Sequence, residues 1–212
     1  MSAAGQPADL QPYRDLRERD LRREGLFIGE GRLVVERLLA SGWPLLSVLC
    51  TPAQEAHFRL LAAGRCPVLV QGEPALAALA GFPFHRGVLA AARRPVLAEL
   101  SSFLEGSGAA ASALTLVVCP RLSGSENLGS IARSAAAFGA HALAIGERSC
   151  DPLSRQAIKA SAGALFRLPL LRLGDESRAL ALLGRFGIQV VGAAGRPDPG
   201  ESPPGGRARR LP

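Results

Sequence analysis

From Leu26 onward, short apolar runs alternate with longer stretches in which apolar residues recur every three to four positions. The first pattern reads as buried strands and the second as amphipathic helices. Gly29-Glu30-Gly31 reads as a turn. A helix follows through Leu33, Val34, Leu38 and Leu39, closed by Gly42 with Pro44 just beyond. Strands are predicted over 45–51, 67–70 and 87–92, and helices over 54–63 and 73–80. This alternation predicts a small layered α/β domain spanning 26–94. Residues 95–112 read as a linker, with a turn or two of helix over 97–104 and a flexible Glu105-Gly-Ser-Gly-Ala. The alternation then resumes over 113–194. Strands are expected at 114–119, 141–145, 166–171 and 188–193, and helices at 127–138, 152–160 and 176–186. Such a βαβαβαβ order predicts a parallel sheet. The nearly continuous apolar run Leu114–Cys119 fits a strand covered on both faces.

Outside these units the pattern fades. Residues 1–25 form a lead-in. Its first twelve positions are small or polar, and 13–24 place five Arg against four acids, as on a solvated helix face. Residues 195–212 hold five Pro, four Gly and four Arg without periodicity, which reads as a disordered, mildly basic tail.

Composition narrows the class. A chain of 212 residues, 48 % apolar and with mean hydropathy +0.17, can build two small cores and is no disordered segment. The net charge of +7 favours an anionic partner, nucleic acid first. Of the 25 basic residues only Lys159 is lysine. A GC-rich coding bias explains arginine over lysine, but not the excess of bases over acids. Cys50, Cys66, Cys119 and Cys150 show no metal-ligand spacing, so free thiols and no metal site are expected. With no signal peptide and no membrane-length apolar run, a soluble cytoplasmic protein is expected.

The chemistry concentrates in Pro120–Gly139, at the carboxyl end of a predicted strand, where open α/β sheets bind ligands. Ser123 and Glu126 have capping-box spacing, and Asn127 is itself a good N-cap. Gly129 would admit a ligand or a neighbouring backbone. Leu128, Ile131, Ala132 and Ala135 fall on one side of the helix and Arg133 on the other, so packing does not account for Arg133. Neither a GK[ST] phosphate loop nor a GxGxxG fingerprint is present.

Asn127-Leu-Gly129-Ser-Ile-Ala-Arg133, with Ser125 and Glu126 before it and Ala-Phe-Gly after it, resembles the first motif of the SpoU/TrmH-type RNA 2′-O-ribose methyltransferases of the SPOUT superfamily. Cys150-Asp-Pro-Leu-Ser-Arg-Gln-Ala-Ile-Lys-Ala-Ser161-Ala-Gly163-Ala and Phe166-Arg-Leu-Pro169 resemble the segments that follow it. Phe27-Ile-Gly-Glu30-Gly31-Arg32 and His85-Arg-Gly87-Val-Leu-Ala-Ala-Ala-Arg93 look like the family's small ribosomal-protein-like substrate domain. The resemblance covers about residues 26–194, in order. It implies a SPOUT α/β knot domain and methyl transfer from S-adenosylmethionine to a ribose 2′-hydroxyl of rRNA or tRNA. It further implies a homodimer, with Arg133 and Asn127 as catalytic residues. Because a guanidinium gives up its proton poorly, Arg133 suits stabilising the developing alkoxide better than general-base work. Glu30, Gly31, Arg32, Arg93 and Arg94 are the matching RNA-binding candidates.

One family feature does not match. The Gly-x-Glu-x-x-Gly, Ile-Pro and Ser-Leu-Asn pieces of the cofactor knot have no counterpart after Ala194, and Gly200-Glu201-Ser202 is no equivalent. The cofactor-binding residues therefore stay unassigned. The expectation is a family member cut short before its knot, as a frameshift in a GC-rich gene would produce, with an exposed strand edge near Leu114–Cys119. Three functions compete: an RNA methyltransferase, inactive if so truncated; a non-catalytic RNA-binding remnant of one; and, more weakly, a small-molecule α/β enzyme lacking a phosphate loop.

Overall fold

The computed structural model describes residues 10–14, 16–81, 87–107 and 114–192. Residues 1–9 of the lead-in, His85 and Arg86 of the second N-terminal motif, 108–113 and everything from 193, the tail included, lie outside the described residues.

Four strands, β1 (Leu26–Glu30), β2 (Leu45–Cys50), β3 (Val68–Val70) and β4 (Val88–Arg93), form the first sheet in the order β1-β4-β2-β3. β4 runs antiparallel to β1 and β2, whereas β2 and β3 are parallel. Strand periodicity sorts their side chains between two faces. Val48, Cys50, Val88, Ala90 and Ala92 meet α2 (Arg32–Ala40) and α3 (Glu55–Ala62). Leu49, Leu89 and Ala91 meet α1 (Glu18–Arg23) and α4 (Glu73–Ala80).

A second sheet takes β5 (Ala98–Glu99), β6 (Leu116–Cys119), β7 (Ala142–Ile145) and β8 (Leu170–Arg172) in the order β5-β8-β7-β6, all parallel. Ala142 and Ala144 face α5 (Leu100–Gly106) and α8 (Glu176–Arg185). Leu143 and Ile145 face α6 (Ser125–Ala137) and α7 (Arg155–Ala160). The mixed α/β class and the parallel second sheet are those the pattern predicts. β6 is the sheet's edge among the described residues, with Val118 37 % exposed.

Several local expectations are corrected. Gly29 and Glu30 belong to β1, and the turn is at Gly31, whose φ of 93° only glycine adopts readily. The lead-in is not wholly peripheral, because Tyr13, Leu16 and Leu21 are buried against the first sheet. Only Glu18–Arg23 of its charged stretch is helical. Residues 95–107, read as linker, add β5 and α5 to the second sheet, and Leu100 and Leu104 are buried there. Phe166 lies in a 3-10 turn, Ala164–Arg167, so the strand begins only at Leu170. The expected strand at 188–193 has no ladder partner over 188–192, and Val190 and Val191 are more than half exposed.

The two sheets share one apolar cluster, running from Phe27 and Leu38 through Phe166 to Leu128 and Ala157. At its centre Trp43 packs edge-on against Phe27 (centroids 5.6 Å apart) and Phe166 (5.4 Å). Ion pairs flank it. Arg155 reaches Glu30 at 3.0 Å, and Arg94 grips both carboxylate oxygens of Asp151 while its Nε donates to the Leu26 carbonyl. Among the described residues no helix is long and apolar enough to cross a membrane.

Tyr13 explains why the lead-in docks. Its hydroxyl donates to the Ser47 carbonyl (2.8 Å) and accepts from the Ala91 amide (3.2 Å), where the β2–β4 register shifts between Leu45 and Ser47. Burial pushes the phenol's pKa well up, which keeps it a neutral donor. Tyr13→Phe leaves both backbone groups short of a partner, and urea unfolding should show a loss of about 1–3 kcal/mol. An unchanged midpoint would mean that the hydroxyl contributes nothing to the ladder.

Candidate active site

α6 leaves the carboxyl end of β6. Its N-cap is Gly124, with extended backbone (φ −84°, ψ 115°) and no side-chain cap. The expected capping by Ser123–Glu126 or by Asn127 is therefore corrected: Asn127 stands inside the first turn, with its side chain in solvent. Leu128, Gly129, Ala132 and Ala135 form the buried face. Glu126, Asn127, Ser130, Arg133 and Ser134 form the exposed one. Asn127 and Arg133 thus share a solvent face, with Ser130 between them and about 9 Å of helix rise separating them.

The orientation of that face is set from behind. A Cβ on Gly129 would stand 2.4 Å from the Ala157 carbonyl oxygen and 2.7 Å from the Ala160 Cβ, so α6 and α7 touch backbone to backbone. α7 is capped by Ser154, whose hydroxyl accepts from the Ala157 amide. It ends at buried Ser161, which donates to the Ile158 carbonyl (2.8 Å) and accepts from the Gly163 amide (3.1 Å). Gly163, at φ +81°, fits under α2 with room for no larger residue at ease, since a Cβ there would meet the Arg37 Cβ at 3.3 Å. Arg37 in turn donates to the Ala162 carbonyl. Ser161 and Gly163 therefore build the turn that docks α7 onto the first sheet's helix.

The remaining candidates separate into two groups. Glu30 and Glu126 line one polar groove with Glu18, Arg155, Gln156 and Lys159, and Gln156 donates to Glu126 at 3.1 Å. Ser125 opens α6 beside it, half-buried. Gly31 donates its amide to the Val88 carbonyl and starts α2. Arg32 is exposed but bonded to Glu36 at 2.9 Å, a carboxylate that also meets His57. Arg32 first and His57 less strongly hold the Glu36 carboxyl below its usual range. Arg93 is exposed at the end of β4. Arg94, by contrast, is committed to Asp151 and is no loose phosphate contact. Arg155 and Asp151, the residues that hold the units together, were not singled out from the sequence. Only their charge within 150–155 signals them.

Residues 114–202 match the model of the SpoU rRNA methylase family. The second unit is thus a SpoU methylase domain. An uncharacterized tRNA/rRNA methyltransferase of Mycobacterium bovis is 34 % identical over 188 residues, covering 86 % of this chain. The chain spans 63 % of that relative's length. The structure of the SpoU methyltransferase AviRb from Streptomyces viridochromogenes in complex with the cofactor AdoMet superposes with TM-score 0.64 at 22 % identity, over 83 % of this chain and 64 % of that one. A solved RNA 2′-O ribose methyltransferase superposes with TM-score 0.61 at 25 % identity, over 84 % and 67 %.

Beside α6 of the SpoU domain runs an apolar groove of about 380 Å³, walled by Val117, Ile131, Ala135 and Phe138, the last 89 % exposed. Burial pushes the Cys119 thiol up, as it does those of Cys50 and Cys66, so none of the three is poised as a nucleophile. The α6–α7 contact is testable by sign. Alanine is the better helix former by about 1 kcal/mol, yet Gly129→Ala must push α7 away. We expect a net loss of about 1–3 kcal/mol in chemical denaturation, and a gain would show that α7 yields freely.

Proposed function

We propose that this chain acts on RNA as an S-adenosylmethionine-dependent methyltransferase, directing a methyl group to a ribose 2′-hydroxyl of rRNA or tRNA. The observation that carries the reading is the solvent face of α6 in a SpoU domain. It offers Asn127, Ser130 and Arg133 together on a helix locked from behind. Arg133 makes no hydrogen bond or ion pair among the described residues, so its five donors are open to a substrate. A cation there lowers the energy of the alkoxide that forms as the hydroxyl loses its proton, and it grips the neighbouring phosphate. Asn127 supplies an amide to orient the ribose. The first sheet's unit, docked on α7, would hold the RNA with Arg32 and Arg93 outward.

Neither groove beside α6 is built for the donor side of the reaction. The groove beside α6 has apolar walls with the hydroxyls of Thr115, Ser130 and Ser134, and no carboxylate to face a sulfonium. The groove at Glu126 is lined almost wholly by charged and amide side chains, with Ala160 as its one apolar residue. S-adenosylmethionine supplies the methyl electrophile in such chemistry. That misfit favours a second reading, RNA binding without transfer. A homodimer belongs to the first reading, with the second copy covering the apolar groove and exposed Phe138.

Calorimetry with S-adenosylmethionine separates the two readings, since the first requires binding and the second requires none. For a competent enzyme, Arg133→Ala should cut methyl transfer to rRNA or tRNA about 10²–10³-fold while RNA affinity changes less than about threefold. Equal loss of both would make Arg133 a phosphate contact.

A further inference from the structure

The seam between the two units holds a cavity of about 390 Å³ that shares no lining residue with the α6 face. It opens at the carboxyl ends of β7 and β8, at Ile145 and Arg172, which is where parallel sheets take ligands. Its size lies within the range of small-molecule sites, roughly 300–1,000 Å³. The cavity exists only because the units are docked, since α1 contributes Arg22 and the stretch after β4 contributes Arg94, Pro95 and Leu97.

Its charges are unequal. Arg94 and Asp151 satisfy each other in a bidentate pair. Arg172 meets Glu99 through Nε alone at 3.0 Å, on an exposed edge that leaves its other donors available. Arg22 is exposed and makes no ion pair among the described residues. Against these two cations the lining sets one further carboxylate, the exposed Glu147. Pro95, Leu97, Ile145 and Leu153 add an apolar wall. Two arginines beside an apolar wall match a phosphate joined to a flat, weakly polar ring.

We propose that this seam cavity is a nucleotide subsite, in which Arg22 and Arg172 hold a phosphate of the RNA strand and the apolar wall receives its base. The inference rests on the RNA reading above and adds a second point of attachment, fixed relative to α6 by the docking of the units. Both arginines are exposed, so their removal leaves the fold intact.

The test is filter binding of structured RNA across a salt series, with wild type, Arg22→Ala, Arg172→Ala and the double variant. Arg59→Ala, whose guanidinium faces Glu55 on α3, serves as control. Each single change should weaken binding about 3–10-fold at low salt, and the slope of log affinity against log salt should fall by about one per lost contact. The control should match wild type. In calorimetry, 5′-UMP should bind wild type more tightly than inorganic phosphate does and should not bind the double variant. Variants that bind RNA like wild type with an unchanged slope overturn the subsite and leave the RNA reading standing. Wild type that binds no RNA overturns both. Phosphate binding as well as 5′-UMP overturns the role given to the wall.

Discussion

The contact on which the arrangement depends is the one between α6 and α7 at Gly129. Because a hydrogen stands where a Cβ would meet the Ala157 carbonyl, the two helices approach until their backbones touch. That approach does two things at once. It pins the buried face of α6, so the backbone positions of Asn127 and Arg133 are set. It also makes α7 a rigid spacer whose far side is held by the first unit, through Arg155 on Glu30, Glu18 on the Arg155 amide, and Arg37 on the Ala162 carbonyl. The distance from the candidate catalytic face to the first unit is thus set by packing, not by the length of a tether.

Much of this was legible from spacing. α6 had its buried and exposed sides assigned correctly, because Leu128, Ala132 and Ala135 repeat at helical spacing and Arg133 breaks from them. The parallel sheet followed from alternation of elements. What stayed hidden was decided at long range. Tyr13 lies in a polar, arginine-rich stretch, and only its meeting with Ser47 and Ala91, 34 and 78 positions away, draws the lead-in onto the core. β5 is two residues long, too short for any periodicity, and is a strand solely because β8 lies beside it. Phe166 has the β-propensity of a strand residue, but its packing on Trp43 and Phe27 holds it in a turn.

The candidate basic residues show the same limit. Arg32, Arg93 and Arg94 look alike in a list of charges, yet their environments differ in kind. Arg94 is one-fifth exposed and saturated by a carboxylate and a carbonyl. Arg32 is exposed, but it shares Glu36 with His57. Arg93 alone of the three carries an exposed guanidinium without an ion pair among the described residues. Net charge therefore overstates the cationic surface offered to an anion. Several of the chain's arginines are internal fasteners, which a planar five-donor group does better than lysine.

Those fasteners give the excess positive charge a location. Where Arg94 and Asp151 cancel and Arg155 answers Glu30, the seam is neutral and tight. In the cavity beside that pair, Arg22 and Arg172 stand on opposite units, Arg172 held through Nε alone by Glu99. A polyanion lying across the seam would meet Arg22 and Arg172 there and Arg133 on the α6 side. Since the interface is closed by an apolar cluster common to both sheets, the two attractive regions hold a fixed separation. Fixed separation is what lets remote binding contribute to positioning one ribose among many, because the strand need not be reordered at the moment of reaction.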